Sequence, residues 1–191
     1  MKKIIVFSLV SLLAFGSINA QDEVHHEEHE HNDGFHRLTM VVGYTFIDNS
    51  FTDQTDDILI VPAFGLNYDY FFKGVWGLGL HTDVLLQQFN VEEKNSNEVL
   101  IRENPIAVCG MLLYKTHHKW TLFSGYGIEF ENHENIQLIR IGGEFGIELR
   151  ADWELGFTLE FDIKPGAYNS LLFGVDFSKF FFKKKKNSHT E

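Results

Sequence analysis

The chain has 191 residues, room for one domain, with 27 acids against 16 lysines and arginines and a formal charge of −11. That acidic balance excludes a nucleic-acid partner held through phosphate contacts. Its single cysteine, Cys109, excludes an intramolecular disulfide.

Residues 1–20 read as a secretory leader. Lys2 and Lys3 give the positive start, Ile4 to Phe15 the apolar run, and Ser17-Ile18-Asn19-Ala20 a small-residue cleavage site. The mature chain is expected to begin near Gln21, at a charge of −13. The next stretch, residues 21–36, is rich in histidine and glutamate and has no apolar periodicity, so it is expected to be a disordered tail. Its histidines, His25, His26, His29, His31 and His36, interleave with Glu27, Glu28 and Glu30. Neutral imidazoles beside carboxylates suit Zn²⁺, Ni²⁺ or Cu²⁺. The spacing matches no closed structural zinc site, so binding there would be loose. A solvated acidic tail is the plainer reading.

From Arg37 onward the chain alternates at period two, the mark of strands with one apolar face. Eight such runs are expected: 37–47, 58–71, 76–89, 99–114, 120–130, 136–149, 153–162 and 171–181. Pro62 falls inside the second, which predicts a bulge. Polar loops at 48–57, 90–98, 131–135 and 164–170 alternate with tight turns near Gly74, His117 and Ala151. The clearest hairpin is IQLIRIGGEFGIELRADWELGFTLEFD, residues 136–162, turning at Arg150-Ala151-Asp152. If Leu149 pairs with Trp153, Arg140 lies opposite Asp162, close to Glu160, with Glu129 a diagonal step away.

Which face is inside follows from composition. A soluble barrel would bury the Phe, Trp, Leu and Ile rows and leave the charged rows in water; a membrane barrel reverses this. Trp76, Trp120 and Trp153 each open a strand after a tight turn, with Tyr70, Tyr114 and Phe181 at the same level, which predicts an interfacial aromatic girdle. Glycines 77, 79, 125, 127, 142, 146, 156 and 174 crowd the charged rows, as a narrow filled lumen needs. The reading is therefore an all-β, eight-stranded antiparallel up-and-down transmembrane β-barrel over 37–182, with a basic tail at 183–191.

The signal sequence, alternating strands, one-sided short turns and aromatic last strand together resemble the small eight-stranded outer-membrane barrels of Gram-negative bacteria, of the porin-like or OmpA type. The resemblance implies an outer-membrane location, short turns and both termini in the periplasm, and lipids as the surroundings. The family's last strand usually ends the chain, whereas Lys183 to Glu191 follow here; Lys183 to Lys186 suit a tail beside anionic headgroups.

Inward faces are expected to carry Asp69, Asp83, Glu103, Glu129, Glu144, Glu148, Glu154, Glu160, Asp162 and Asp176 against Arg140 and, if protonated, His81. Arg140, Glu129, Glu144, Glu160 and Asp162 form the predicted lumen charge network. Cys109 falls on an inward row as a small apolar residue. The function expected is that of a non-enzymatic, monomeric barrel with no resident cofactor. A metal-handling accessory using the His/Glu tail is the alternative. A lipid-modifying enzyme is the third class, but its candidate groups, Ser124 and His133, lie too far apart along their hairpin for direct contact.

Overall fold

Alternation along one tightly turned hairpin sets the frame for the rest of the molecule. β8 (Ile136–Glu148) and β9 (Trp153–Ile163) pair antiparallel with Arg140 opposite Asp162 and Glu148 opposite Glu154. The Leu149 N–H donates to the Trp153 carbonyl at 2.7 Å, the closing rung expected from the sequence. Ala151 and Asp152 turn the chain at φ of 61° and 58°. That left-handed region costs a residue with a side chain about 1–2 kcal/mol. The two carbonyls are occupied in return, by Lys179 Nζ and by the Phe180 N–H.

The computed structural model describes residues 34–48, 58–72, 74–92, 99–117, 119–131 and 134–182. The other strands are β1 (Phe35–Asp48), β2 (Ile58–Phe72), β3 (Trp76–Leu85), β4 (Gln88–Glu92), β5 (Val99–Glu103), β6 (Ile106–His117), β7 (Trp120–Phe130) and β10 (Asn169–Phe182). Eight of them close a wholly antiparallel barrel in the order β1-β10-β9-β8-β7-β6-β3-β2, with β1 paired to both β2 and β10. Closure hydrogen-bonds both edges of every wall strand, which a sheet in lipid requires.

Three expectations need correction. The third and fourth runs do not stay in the wall. The wall strands stop at Leu85 and resume at Ile106, and β4 and β5 form a separate two-stranded sheet between them. Alternation runs on from β3 into β4 (Gln88-Phe89-Asn90-Val91-Glu92), so periodicity alone could not tell a wall strand from an overhang. Pro62 causes no bulge, since β1 and β2 stay in register through Tyr44–Pro62. Its carbonyl accepts from the Leu86 N–H, so its missing N–H faces the β3 side, beyond the last paired rung at Ala63–Leu85. The first strand begins at Phe35, so Phe35 and His36 belong to the barrel rather than to the tail.

Burial is inverted relative to a soluble barrel. Leu78 and Phe173 are 58% and 51% exposed on the outer wall, while Arg140 and Glu160 are 2% and 1% exposed inside. The inner wall is not uniformly polar. One buried apolar cluster fills the loop end, with Ile47, Val61, Leu85, Phe89, Val91, Ile136 and Leu172. Another starts from Phe35, Phe71 and Phe180 at the turn end and runs up β6, β7 and β8 through Cys109, Met111, Phe123 and Leu138. Phe35 stacks on Phe71 at 4.8 Å between ring centroids and lies 5.6 Å from Phe180. Most of the buried ionisable groups sit between these apolar ends.

Inner glycines make room for the neighbouring strand. A Cβ at Gly146 would run into the Glu154 carboxyl, and one at Gly156 into that of Asp176. Eight strands leave an interior about wide enough for side chains to fill, and here long side chains lie flat over glycines to fit.

Candidate functional site

The polar lumen divides into three knots of ion pairs. The first is centred on Arg37 of β1, which sequence reasoning passed over. Its Nε and Nη2 donate to Asp69 Oδ2 at 2.9 and 2.8 Å, and its Nη1 donates to Glu144 Oε2 at 2.6 Å. The other Asp69 oxygen lies 3.0 Å from His81 Nε2. Arg37 is in phase with Thr39 and Val41 on the inner row, and that phase was the available signal.

The second knot is centred on Arg140. Its Nε and Nη2 grip the Asp162 carboxylate at 2.7 and 2.9 Å, the register expected from the hairpin. Its Nη1 reaches Glu160 at 2.9 Å and also bonds Asp83 across the barrel. Glu144, expected here, is paired with Arg37 instead.

Glu129, also expected beside Arg140, anchors the third knot at the loop end. Arg102 Nη2 donates to its Oε1 at 2.6 Å and the Tyr168 hydroxyl to the same oxygen at 2.6 Å, while Lys164 Nζ lies 3.1 Å from Oε2. Cross-strand counting failed because Glu129 pairs with groups from outside the wall ladder. Burial and the adjacent Glu129 carboxylate push the Tyr168 phenol well above its ordinary range, so it stays a donor. Lys164 lies over the Tyr168 ring at 4.2 Å and donates to Ser170 Oγ at 2.9 Å.

Arg140 is therefore not the lone fixed cation; Arg37, Arg102 and Lys164 share that role. Two predicted acids are not inside. Glu103 lies on the overhanging hairpin and Glu148 beside the turn, both exposed. Asp69, Asp83, Glu154, Glu160, Asp162 and Asp176 are buried as expected, and the buried acids still outnumber the buried lysines and arginines. A cavity of about 20 Å³, lined by Thr45, Asp83, Glu129, Arg140, Asp162 and Lys164 among others, has room for about one water.

The outer wall carries the aromatic row. Trp76 lies 4.6 Å from Tyr114, Trp120 5.0 Å from Phe145, and Trp153 stacks on Phe177 at 4.5 Å with Lys179 over its face. Tyr70 is exposed in the same row, and His36 joins it. Its ring is 4.8 Å from Tyr70, and its Nδ1 shares a hydrogen bond with Tyr68 Oη at 2.7 Å. His25, His26, His29, His31 and His133 lie outside the described residues. Ser124 is exposed on the outer wall of β7. Among the described residues no group of three or more His, Cys, Asp or Glu side chains is arranged to hold a metal ion.

No protein-family model and no curated protein sequence matches the chain. Solved structures do. Ail, the attachment invasion locus protein of Yersinia pestis, solved in complex with the heparin analogue sucrose octasulfate, superposes with a TM-score of 0.50 at 12% identity, covering 76% of this chain and 99% of its own. Neisserial surface protein A gives a TM-score of 0.50 at 6% identity, covering 78% of this chain and 99% of its own. At such identities the likeness is one of fold. The chain therefore has the fold of the small eight-stranded outer-membrane β-barrels.

Proposed function

We propose that this protein is a non-enzymatic, monomeric outer-membrane barrel, embedded in lipid, that presents its loop end outside the cell and keeps its lumen filled. The observation that carries the reading is the inverted burial: an apolar outer wall with an aromatic girdle around an interior of ion pairs closed by apolar clusters. A closed wall leaves no unpaired strand edge to join a second copy, which supports the monomer. The filled lumen argues against a diffusion pore.

Topology in intact cells tests the reading. A membrane-impermeant maleimide should label Asn135→Cys, which is exposed between β7 and β8, and should spare Ala151→Cys at the turn between β8 and β9. Cys109 is buried and should give no background. Labelling at residue 151 alone would reverse the orientation, and labelling at both would place the barrel outside a sealed membrane. Purified barrel in a planar bilayer should carry no steady current.

A further inference from the structure

The overhanging hairpin has two unlike faces. Gln88, Asn90 and Ile101 are exposed, whereas Phe89, Val91 and Arg102 are buried against the mouth of the barrel. Phe89 and Arg102 stand opposite each other in the β4–β5 register. Phe89 meets the Tyr168 ring edge-on at 5.8 Å. Arg102 reaches further, placing Nη2 on Glu129 Oε1 at 2.6 Å and Nη1 on the Glu134 carbonyl at 2.7 Å and 3.6 Å from the Glu131 carboxylate.

These acceptors make a built site. The Glu129 carboxylate is held by Tyr168 and Lys164, both outside β4 and β5, so it does not need Arg102 to keep its place. The Glu134 carbonyl and the Glu131 carboxylate approach the guanidinium from the loop after β7. Arg102 is 1% exposed, yet its Nε has no hydrogen-bond partner. The tethered side chain thus leaves its Nε–H donor unused. Short connections, Leu86-Gln87 and Asn104-Pro105, join the hairpin to the wall, and β3 and β6 pair with each other directly up to Val84–Ile106. The wall is therefore complete without the hairpin.

We infer that the barrel mouth contains a guanidinium-binding site, formed by the Glu129 and Glu131 carboxylates and the Glu134 carbonyl, and that the β4–β5 hairpin is a cap which fills it with Arg102. A guanidinium group on another molecule, such as an arginine side chain of a cationic peptide, occupies the same site once the cap lifts. Planar fork geometry selects guanidinium over ammonium, because separated acceptors are met by separate N–H groups of one rigid donor. The inference goes beyond the filled-barrel reading and depends on it only for which side of the membrane the ligand comes from.

The experiment is chemical rescue of Arg102→Ala in detergent, where membrane orientation plays no part. Amide hydrogen exchange over 88–92 and 99–103 reports the cap, and exchange in β8 and β9 reports the barrel. The variant should exchange at least about tenfold faster in the cap, with β8 and β9 unchanged, because a buried ion pair has lost one member. Millimolar methylguanidinium should slow the cap again, saturably. Methylammonium and urea should not. Rescue should vanish in Arg102→Ala/Glu129→Gln, and wild type should respond weakly, since tethered Arg102 competes at a high effective concentration. Absence of rescue, equal rescue by methylammonium, or rescue that persists without the Glu129 charge would each overturn the site. Should β8 and β9 also lose protection, the single variant Glu129→Gln, with Arg102 in place, decides: its cap must open tenfold with β8 and β9 intact, or the inference fails.

Discussion

Replacing Arg140 by Met tests whether the lumen is held by pairing or merely hydrated. Methionine keeps the length of the stem and removes the charge. In the native barrel that guanidinium serves Asp162 through two bonds, Glu160 at 2.9 Å, and Asp83. All three acids are at least 93% buried, so removing the cation strands three carboxylates at once. Breaking one buried pair by deleting a partner costs about 3–5 kcal/mol. Proton uptake or water entry can relieve part of the excess, so about 3–5 kcal/mol is the expected total rather than three times that. Arg140→Lys should recover some of the loss but not all, because a point charge cannot reproduce the two-bond grip on Asp162. Urea unfolding in lipid vesicles, followed by tryptophan emission, gives the number. Trp76, Trp120 and Trp153 all face outward and pass from lipid to water on unfolding. A loss below about 1 kcal/mol for the methionine variant, within the range of an exposed pair, would refute the reasoning and mean that the lumen is solvated.

Gly156→Ala should destabilise by about 1–3 kcal/mol, because the new Cβ meets the Asp176 carboxyl. Gly110→Ala, on the outer wall with its nearest neighbouring heavy atom 4.0 Å away, should shift stability by less than about 0.5 kcal/mol in the same unfolding assay. Tyr168 has a raised pKa in the fold, so its contribution to stability is full below the unfolded tyrosine value of about 10 and is lost as pH rises from there through the folded value. Tyr168→Phe should flatten the alkaline fall in cap protection measured by amide exchange, and an unchanged fall would sink that assignment. If the histidine tail takes up Zn²⁺ or Ni²⁺, calorimetry should show binding lost when His25, His26, His29 and His31 become Asn and kept in His36→Ala, whose Nδ1 is already engaged by Tyr68. Loss in His36→Ala alone would place the ligands at the girdle.

Period-two alternation was enough to read the barrel, because every wall strand has one face in lipid and one in the lumen. The Arg140–Asp162 register was also legible, since a short turn fixes the count on both arms of a hairpin. Arg37 was legible in principle, lying on the inner row of β1, but it meets Asp69 across the long loop between β1 and β2, which fixes no register count. Arg102, Lys164 and Tyr168 were not legible. They reach Glu129 from an overhanging hairpin and a loop, where no ladder fixes the distance. The apolar plugs were not legible from composition, because Phe35, Phe71 and Phe180 share the inward rows with the charged residues and only their phase puts them inside.

Those plugs change what the ion pairs mean. In a barrel with open ends, water would screen the charges, and each pair would count for little. Here Phe35, Phe71 and Phe180 fill one end, with Lys115 over the rings of Phe35 and Phe180. Phe89, Val91 and Tyr168 fill the other. The acids between them sit in a poorly hydrated interior, where a charge without a partner is expensive. That is why one guanidinium is shared among several carboxylates and why glycines let long acids lie flat. It also confines ligand access to the ends. A ligand entering from the turn end must displace three phenylalanines before meeting Arg37. From the loop end, Arg102 and Glu129 are met before Arg140, and Arg102 belongs to the overhanging hairpin, outside the paired wall.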